Sequence, residues 1–268
     1  MNVLVSCDDG YDAPGFAALA AEAARLGPVR ASATERPASG VGHAVTLHRP
    51  VAAWPVTVPE TGKAMAVRGT PADAVKLALV ELWPGWADLV LSGINAGPNV
   101  GVNVFYSGTV GAAAEGMVSR TSSVALSLDV SDPYDFPAAA LRARPVIEAL
   151  AALVPFPKGL FFNVNLPASR KPVLGIRLTR QGLSGFREYY RPCPCPEGEA
   201  RPDACFYRVS GDMVIDDPDE ITDAAALAAG WISVTPMFLD LTVEPFRRRM
   251  PEQAGLIAET ISRLKEWQ

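Results

Sequence analysis

The chain is 268 residues long, 49% hydrophobic and 20% charged, with a net charge of -5 and a pI near 5.2. This composition suits one large globular domain, residues 1–268, and the acidic balance argues against an extended nucleic-acid surface, which needs a basic face. No stretch of about 18 uncharged apolar residues occurs, and "MNVLVSCDDG" has neither a basic start nor a long apolar segment, so no membrane span and no signal peptide are expected and the cytoplasm is the expected compartment.

"NVLVS" reads as a short buried strand, followed by an Ala-rich helix in "APGFAALAAEAARLG", with Pro14 near its start and Gly27 just past its end. "VRASAT" is a second strand. "AMAVRG" and "TPADAVKLALVELW" repeat the logic: strand, Gly turn, Thr70 as N-cap with Asp73 as a capping-box partner, Pro71 in the first turn, helix. "ADLVLSG" is another buried strand. After a Gly/Asn-rich loop, "SGTVGAAAEGMVSR" starts a helix. "SVALSL", "GLFFNVNLP" and "LGIRLTRQ" are strands, and "PAAALRARPVIEALAALV" is helical despite Pro145.

Residues 185–220, rich in Pro, Cys, Tyr and acids, break this rhythm and read as an excursion from the sheet that packs on a partner subunit or over the site. "TDAAALAAG" is then helical, "WISVTPM" is a strand and "EQAGLIAETISRLKEW" is a terminal helix. Strands alternating with helices imply an α/β fold with a mostly parallel sheet covered on both faces.

The four cysteines, Cys7, Cys193, Cys195 and Cys205, are too few for a disulfide scaffold. "CPCPEGEARPDAC" lacks a CxxC pair and a neighbouring His, so a Pro-rich surface loop is preferred over a soft-metal cluster. With only His43 and His48, a multi-histidine metal centre and a two-histidine phosphatase are excluded.

In an open parallel sheet, ligands bind at the carboxyl ends of the strands. Three polar clusters fall there: Asp8 and Asp9; "RPASG" with Ser39; and "SGINAGPNVGVNVFYSGTVGAAAEG" after "ADLVL". Adjacent carboxylates at a strand end are costly unless a cation neutralises them, and hard oxygen ligands suit magnesium or manganese. Gly10 permits a turn that brings both acids toward one ion, and Ser39 and Asn95 can add neutral oxygens. The loop glycines let backbone N–H groups approach a ligand, and the helix start after Ser107 favours an anion. Metal plus anion cradle points to phosphate chemistry. Taken singly, "DDG" reads equally as a turn, Asn95 as an Asn-capped turn and "SGTVG" as an ordinary N-cap.

At these residues the chain resembles the SurE family of survival protein E nucleotidases. The resemblance rests on "VLVSCDDGYDAPG", "PASG", "VRGTPADAVKLAL", "DLVLSGINAGPNVGVNVFYSGTVGAAAEG", "FFNVNLP" and "TDAAALAAGWISVTPMFLDLT", from near residue 3 to near 242. It implies a Rossmann-like core and a metal-dependent phosphatase acting on nucleoside monophosphates (5'- and 3'-nucleotides). It also implies a homodimer or homotetramer, with C-terminal segments, 236–268 here, exchanged at the subunit interface. The 185–220 excursion, expected there too from its composition, carries "CPCPEGEARPDAC", which does not match the family.

The resemblance places one divalent ion per subunit, Mg2+ or Mn2+, on Asp8, Asp9, Ser39 and Asn95. It places Ser107 near the phosphate, with Gly108, Thr109 and Asn99 beside the substrate and Asp8, Asp9, Asn95 and Ser107 catalytic. One departure stands out: the family usually has Asn before the acids, where this chain has Cys7. That thiol would alter metal preference or make the protein oxidation-sensitive, unless it is simply a small buried residue.

The mechanism expected is metal-assisted hydrolysis of a phosphate monoester, with Ser107 and the N–H groups of 108 to 111 holding phosphate oxygens. His43 is a weaker acid–base candidate against a surface role, and Phe105, Tyr106 and Tyr189 are candidates to stack on a base, with core packing an equal reading for the first two. A haloacid-dehalogenase-type phosphatase needs an Asp-x-Asp pattern, but position 10 is Gly. A receiver domain needs an Asp at a middle strand end, where "ADLVLSGIN" offers Ser and Asn. A nucleotide-binding regulator without turnover is the remaining alternative.

Overall fold

The computed structural model describes residues 1–168, 170, 172–195, 204–215 and 219–241. Two compact units divide the chain after Met237, and the architecture below belongs to the first. The terminal helix expected at 252–267 lies outside the described residues.

A nine-stranded sheet runs β3 (Ala52–Val56), β4 (Lys63–Arg68), β2 (Val29–Thr34), β1 (Val3–Ser6), β5 (Leu89–Ala96), β6 (Ser122–Leu128), β7 (Leu160–Leu166), β11 (Trp231–Phe238) and β8 (Gly175–Leu178). From β4 to β7 every pairing is parallel, as is β11 with β8; β3 joins the edge antiparallel to β4. Side chains on both faces of the central strands are buried. Leu4, Val5, Leu91, Leu126 and Leu166 are fully so, as expected of a parallel sheet sandwiched between helices. The helices α1 (Pro14–Ala23) and α4 (Phe136–Ala151) pack together, and α2 (Pro71–Leu77) packs with α3 (Gly108–Val118).

The expected α/β architecture is present, with local differences. The edge strand β3 was not anticipated. Its sequence AAWPV shows no alternation and holds Pro55, which an edge strand tolerates and a central one does not. The α2 helix is shorter than expected: after Leu77 it widens into a π-helical turn, Ala78–Leu82. Its start follows expectation, since Thr70 Oγ1 accepts from Asp73 N (3.0 Å) and Asp73 Oδ2 accepts from Thr70 N (2.8 Å). Pro145 sits inside α4 on an exposed position, where water can satisfy the carbonyl that loses its amide partner.

Within 185–220, β9 (Gly185–Cys193) and β10 (Phe206–Val214) form a separate antiparallel ribbon, register Val209↔Tyr190. It is mostly exposed. Its first residues pack against a 3-10 turn, Gly101–Phe105, where Val102 N donates to Ser184 O (2.9 Å) and Phe186 N to Asn103 Oδ1 (3.3 Å).

Candidate active site

The sequence clusters converge at the carboxyl edge of the sheet. β1 ends at Ser6, and the chain turns through Cys7, Asp8 and Asp9 into Gly10, whose φ of +109° suits the absent side chain. The turn is pinned from β2, because Thr34 Oγ1 donates to the Asp8 carbonyl (3.3 Å) and Ala38 N donates to it at 2.8 Å. That second bond also places Ser39 beside Asp8. On the other side, β5 shifts register against β6 between Ser92 and Asn95; Asn95, still paired with Ser127 near the strand's end, borders the same cavity as Asp8.

Asp8 is 3% exposed. Its Oδ1 accepts from the fully buried Thr109 hydroxyl at 2.6 Å. Burial pushes its pKa up to about 6 from an ordinary 3.8; the Thr109 bond opposes this and the charge of Asp9 adds to it. Asp9 Oδ2 accepts from Ala96 N at 3.1 Å. Asn95 donates its amide N–H to Gly97 O at 2.7 Å, which leaves the amide oxygen as the group it can offer an ion.

A cavity of about 280 Å³ is lined by Asp8, Ser39, Asn95, Asn99, Ser107 and Gly108. Tyr106, Phe186 and Glu188 also line it. Asp9 faces a neighbouring cavity of about 790 Å³ with Asp12, Tyr134 and Phe136, and Ala96 borders both. Six of the eight residues to which the resemblance gives metal, catalytic or substrate roles thus share one wall, and Asp9 adjoins it.

Thr109 does not. It is fully buried and its hydroxyl serves Asp8, so it positions the carboxylate and has only its backbone N–H to offer a ligand. Asn99 lines the cavity while also bracing the loop: its side chain donates to Ser127 Oγ (2.7 Å) and its carbonyl accepts from Asn163 (2.7 Å) and Asn165 (3.1 Å).

Ser107 caps α3, and its Oγ accepts from Val110 N (3.1 Å) while its carbonyl accepts from Gly111 N (3.0 Å). The expected cradle of N–H groups from 108 to 111 therefore narrows to those of Gly108 and Thr109, with the Ser107 hydroxyl proton beside them. Gly108 itself packs against Asp8: a Cβ on it would lie 2.9 Å from Asp8 Oδ2.

Carboxylate oxygens of Asp8 and Asp9 and the Cys7 sulfur lie within 4.8 Å of one another. Among the described residues neither acid pairs with a Lys, Arg or His. Two hard, uncompensated carboxylates with the oxygens of Ser39 and Asn95 at hand fit a hard divalent cation. Cys7 does not fit that donor set. It is fully buried, its thiol pKa is driven well above the ordinary range by burial and by the two acids, and its sulfur accepts from Asp9 N (3.3 Å).

The other candidates are placed elsewhere. His43 Nε2 lies 2.9 Å from Glu115 Oε2, and Lys76 Nζ binds Glu115 Oε1 at 2.9 Å. The imidazole thus ties the Ser39 loop to α3 and does not line the cavity. Burial would raise the pKa of Glu115, but His43 and Lys76 outweigh it and hold the carboxylate below its usual range. Phe105 is 60% exposed, not core, and lies outside the cavity wall, as does Tyr189, whose hydroxyl accepts from Arg191 (2.7 Å). Phe186 and Glu188 were missed from sequence, because only the ribbon's return to the Gly101–Phe105 turn brings them to the site.

A family model described as Survival protein SurE matches residues 3–188. The chain is similar to 5'-nucleotidase SurE of Symbiobacterium thermophilum, 40% identical over 90% of this chain and 93% of that protein. It is also similar to 5'-nucleotidase SurE of Desulfatibacillum aliphaticivorans, 39% identical over 94% and 98% of the two chains. A crystal structure of the SurE protein from Aquifex aeolicus superposes with a TM-score of 0.76 at 33% identity, covering 95% of this chain and all of that one. With the family model spanning most of the chain and relatives aligned along nearly all of it, this chain belongs to the SurE family.

Proposed function

We propose that this protein is a metal-dependent 5'-nucleotidase that hydrolyses nucleoside monophosphates, 5'- and also 3'-linked, to nucleoside and phosphate. The observation that carries the reading is that a buried carboxylate and the N-terminus of α3 line one cavity side by side. Asp8, Ser107 and Gly108 all border it, and Asp8 is in contact with the first turn of α3. The curated relatives named 5'-nucleotidase SurE support it.

In this reading Asp8, Asp9, Ser39 and Asn95 hold one divalent cation, Mg2+ or Mn2+. An ion held there supplies positive charge against the phosphoryl oxygens and acidifies water. The Ser107 hydroxyl and the N–H groups of Gly108 and Thr109 donate to phosphate oxygens, and they match the added negative charge as water attacks phosphorus. The P–O ester bond breaks, the leaving oxygen takes a proton, and nucleoside and phosphate depart. Tyr106 and Phe186, 58% and 50% exposed on the cavity wall, offer apolar surface to the nucleoside.

The 185–220 and 236–268 segments are proposed to meet a second subunit in a homodimer or homotetramer, and Tyr190, Tyr207 and Val209 on the ribbon are exposed in keeping with that. No described helix is long and apolar enough to cross a membrane, and we place the protein in the cytoplasm. The acidic charge supports a small-molecule substrate over an extended nucleic acid.

The test is phosphate release from nucleoside 5'- and 3'-monophosphates after EDTA treatment and re-addition of Mg2+ or Mn2+. Release restored by the metal supports the enzyme. Nucleotide binding without release from the folded protein would replace it with a regulatory role.

A further inference from the structure

A second cavity, of about 490 Å³, opens at the ends of β2 and β4, next to the end of β1 in the same sheet. Glu35, Arg36, Ala38, Arg49, Arg68 and Gly69 line it. It abuts the candidate active site through one peptide bond: Ala38 borders this cavity and Ser39 borders the other, with Cα atoms about 3.8 Å apart. The Ala38 N–H bond to the Asp8 carbonyl (2.8 Å) fixes the backbone of this shared rim.

Three arginines and one carboxylate line this cavity, in a protein whose net charge is -5. Arg68 is held in place: its Nε and Nη2 donate to Glu35 at 2.8 and 3.0 Å, and its guanidinium lies 5.4 Å from the Trp54 ring centre. Glu35 thus has both oxygens engaged. Arg36 and Arg49 are exposed and enter none of the hydrogen bonds or ion pairs among the described residues. Planar guanidinium forks suit a tetrahedral oxyanion, and two of the three make no hydrogen bond or ion pair among the described residues.

We propose that this cavity is a subsite for a second, non-reacting phosphate, with Arg36 and Arg49 as its ligands and Arg68 as the fixed wall. The inference rests on the nucleotidase reading and deepens it. A ribose carries its 3'- and 5'-oxygens on one ring, so a nucleoside 3',5'-bisphosphate can present one phosphate to Ser107 and Gly108 and the other to the arginines. A free inorganic phosphate has the same chemistry and is the other source.

The experiment compares nucleoside 5'-monophosphate with nucleoside 3',5'-bisphosphate, using the wild type and the Arg36→Gln/Arg49→Gln double variant. The wild type should show a KM for the bisphosphate roughly tenfold or more below that for the monophosphate, and the variant should lose that preference while keeping its monophosphate kcat and KM. Added inorganic phosphate should erode the bisphosphate preference in the wild type alone if the pocket also accepts the free ion. Equal preference in wild type and variant would overturn the inference. Calorimetric binding of the same two nucleotides to EDTA-treated protein makes the same comparison without turnover. An absent monophosphatase activity therefore sinks the nucleotidase reading, and an unchanged affinity ratio sinks the subsite.

Discussion

The Thr109 hydroxyl donates to Asp8 Oδ1 at 2.6 Å and thereby joins the end of β1 to the first turn of α3, 101 residues further along the chain. In the proposed reading Asp8 helps to hold the ion and the first turn of α3 holds the phosphate, so this bond fixes how those two groups sit against each other. Thr109→Val keeps the shape and removes the donor. A buried carboxylate left one hydrogen bond short should lose about 1–3 kcal/mol of stability. Mn2+ affinity should fall roughly tenfold, read by metal titration beside thermal unfolding. Unchanged affinity and stability would remove the bond from the account.

Gly108 offers a test of close approach. A Cβ there would lie 2.9 Å from Asp8 Oδ2 and 3.0 Å from Pro71 Cγ. Gly108→Ala should favour the helix by up to about 1 kcal/mol, so stability should change little. The displaced carboxylate should nonetheless lower kcat by about 10²-fold, since misplacement by an ångström costs that much. Activity within twofold of wild type would show that Asp8 yields without consequence.

The raised pKa of Asp8 fixes a pH dependence. Its folded value, about 6, lies above the ordinary 3.8, chiefly through burial. Between those values the folded metal-free protein holds a proton that the unfolded chain has released. Asp8 therefore favours folding below this window, and that contribution is lost as pH rises through it. An ion needs the deprotonated form, so Mn2+ affinity should be level above about pH 7 and fall about tenfold per pH unit below about 6. Affinity that does not change between pH 5 and 7 would contradict this.

Cys7 should be silent toward thiol reagents. It is fully buried with a strongly raised pKa, whereas Cys195 and Cys205 are exposed. Labelling of the native protein followed by peptide mass analysis should find Cys195 and Cys205 modified and Cys7 intact. Early modification of Cys7 would restore the idea of an oxidation-sensitive site.

Much of the site was legible because its parts are local. Asp8 and Asp9 follow a buried apolar run, Ser39 follows another, and Ser107 precedes a helix pattern, so the strand-end rule brings them together. What stayed hidden depends on long-range geometry. That Thr109 faces Asp8 and not the ligand follows from how α3 docks on the sheet. That Val110 and Gly111 give their N–H groups to Ser107 follows from cap geometry, which the letters SGTVG only permit. Phe186 and Glu188 carried no signal in a stretch without apolar periodicity. The edge strand β3 was masked by Pro55, and the widened turn after Leu77 by a helical pattern that simply continues.

The most direct test of the central claim is Mn2+ binding followed by electron paramagnetic resonance in the wild type and in Asp8→Asn, Asp9→Asn and Cys7→Ser. The account expects one tight site per chain in the wild type and in Cys7→Ser, and its loss in both Asp variants with folding retained. Tight binding that survives Asp8→Asn, or that disappears in Cys7→Ser, would place the ion elsewhere and contradict the account.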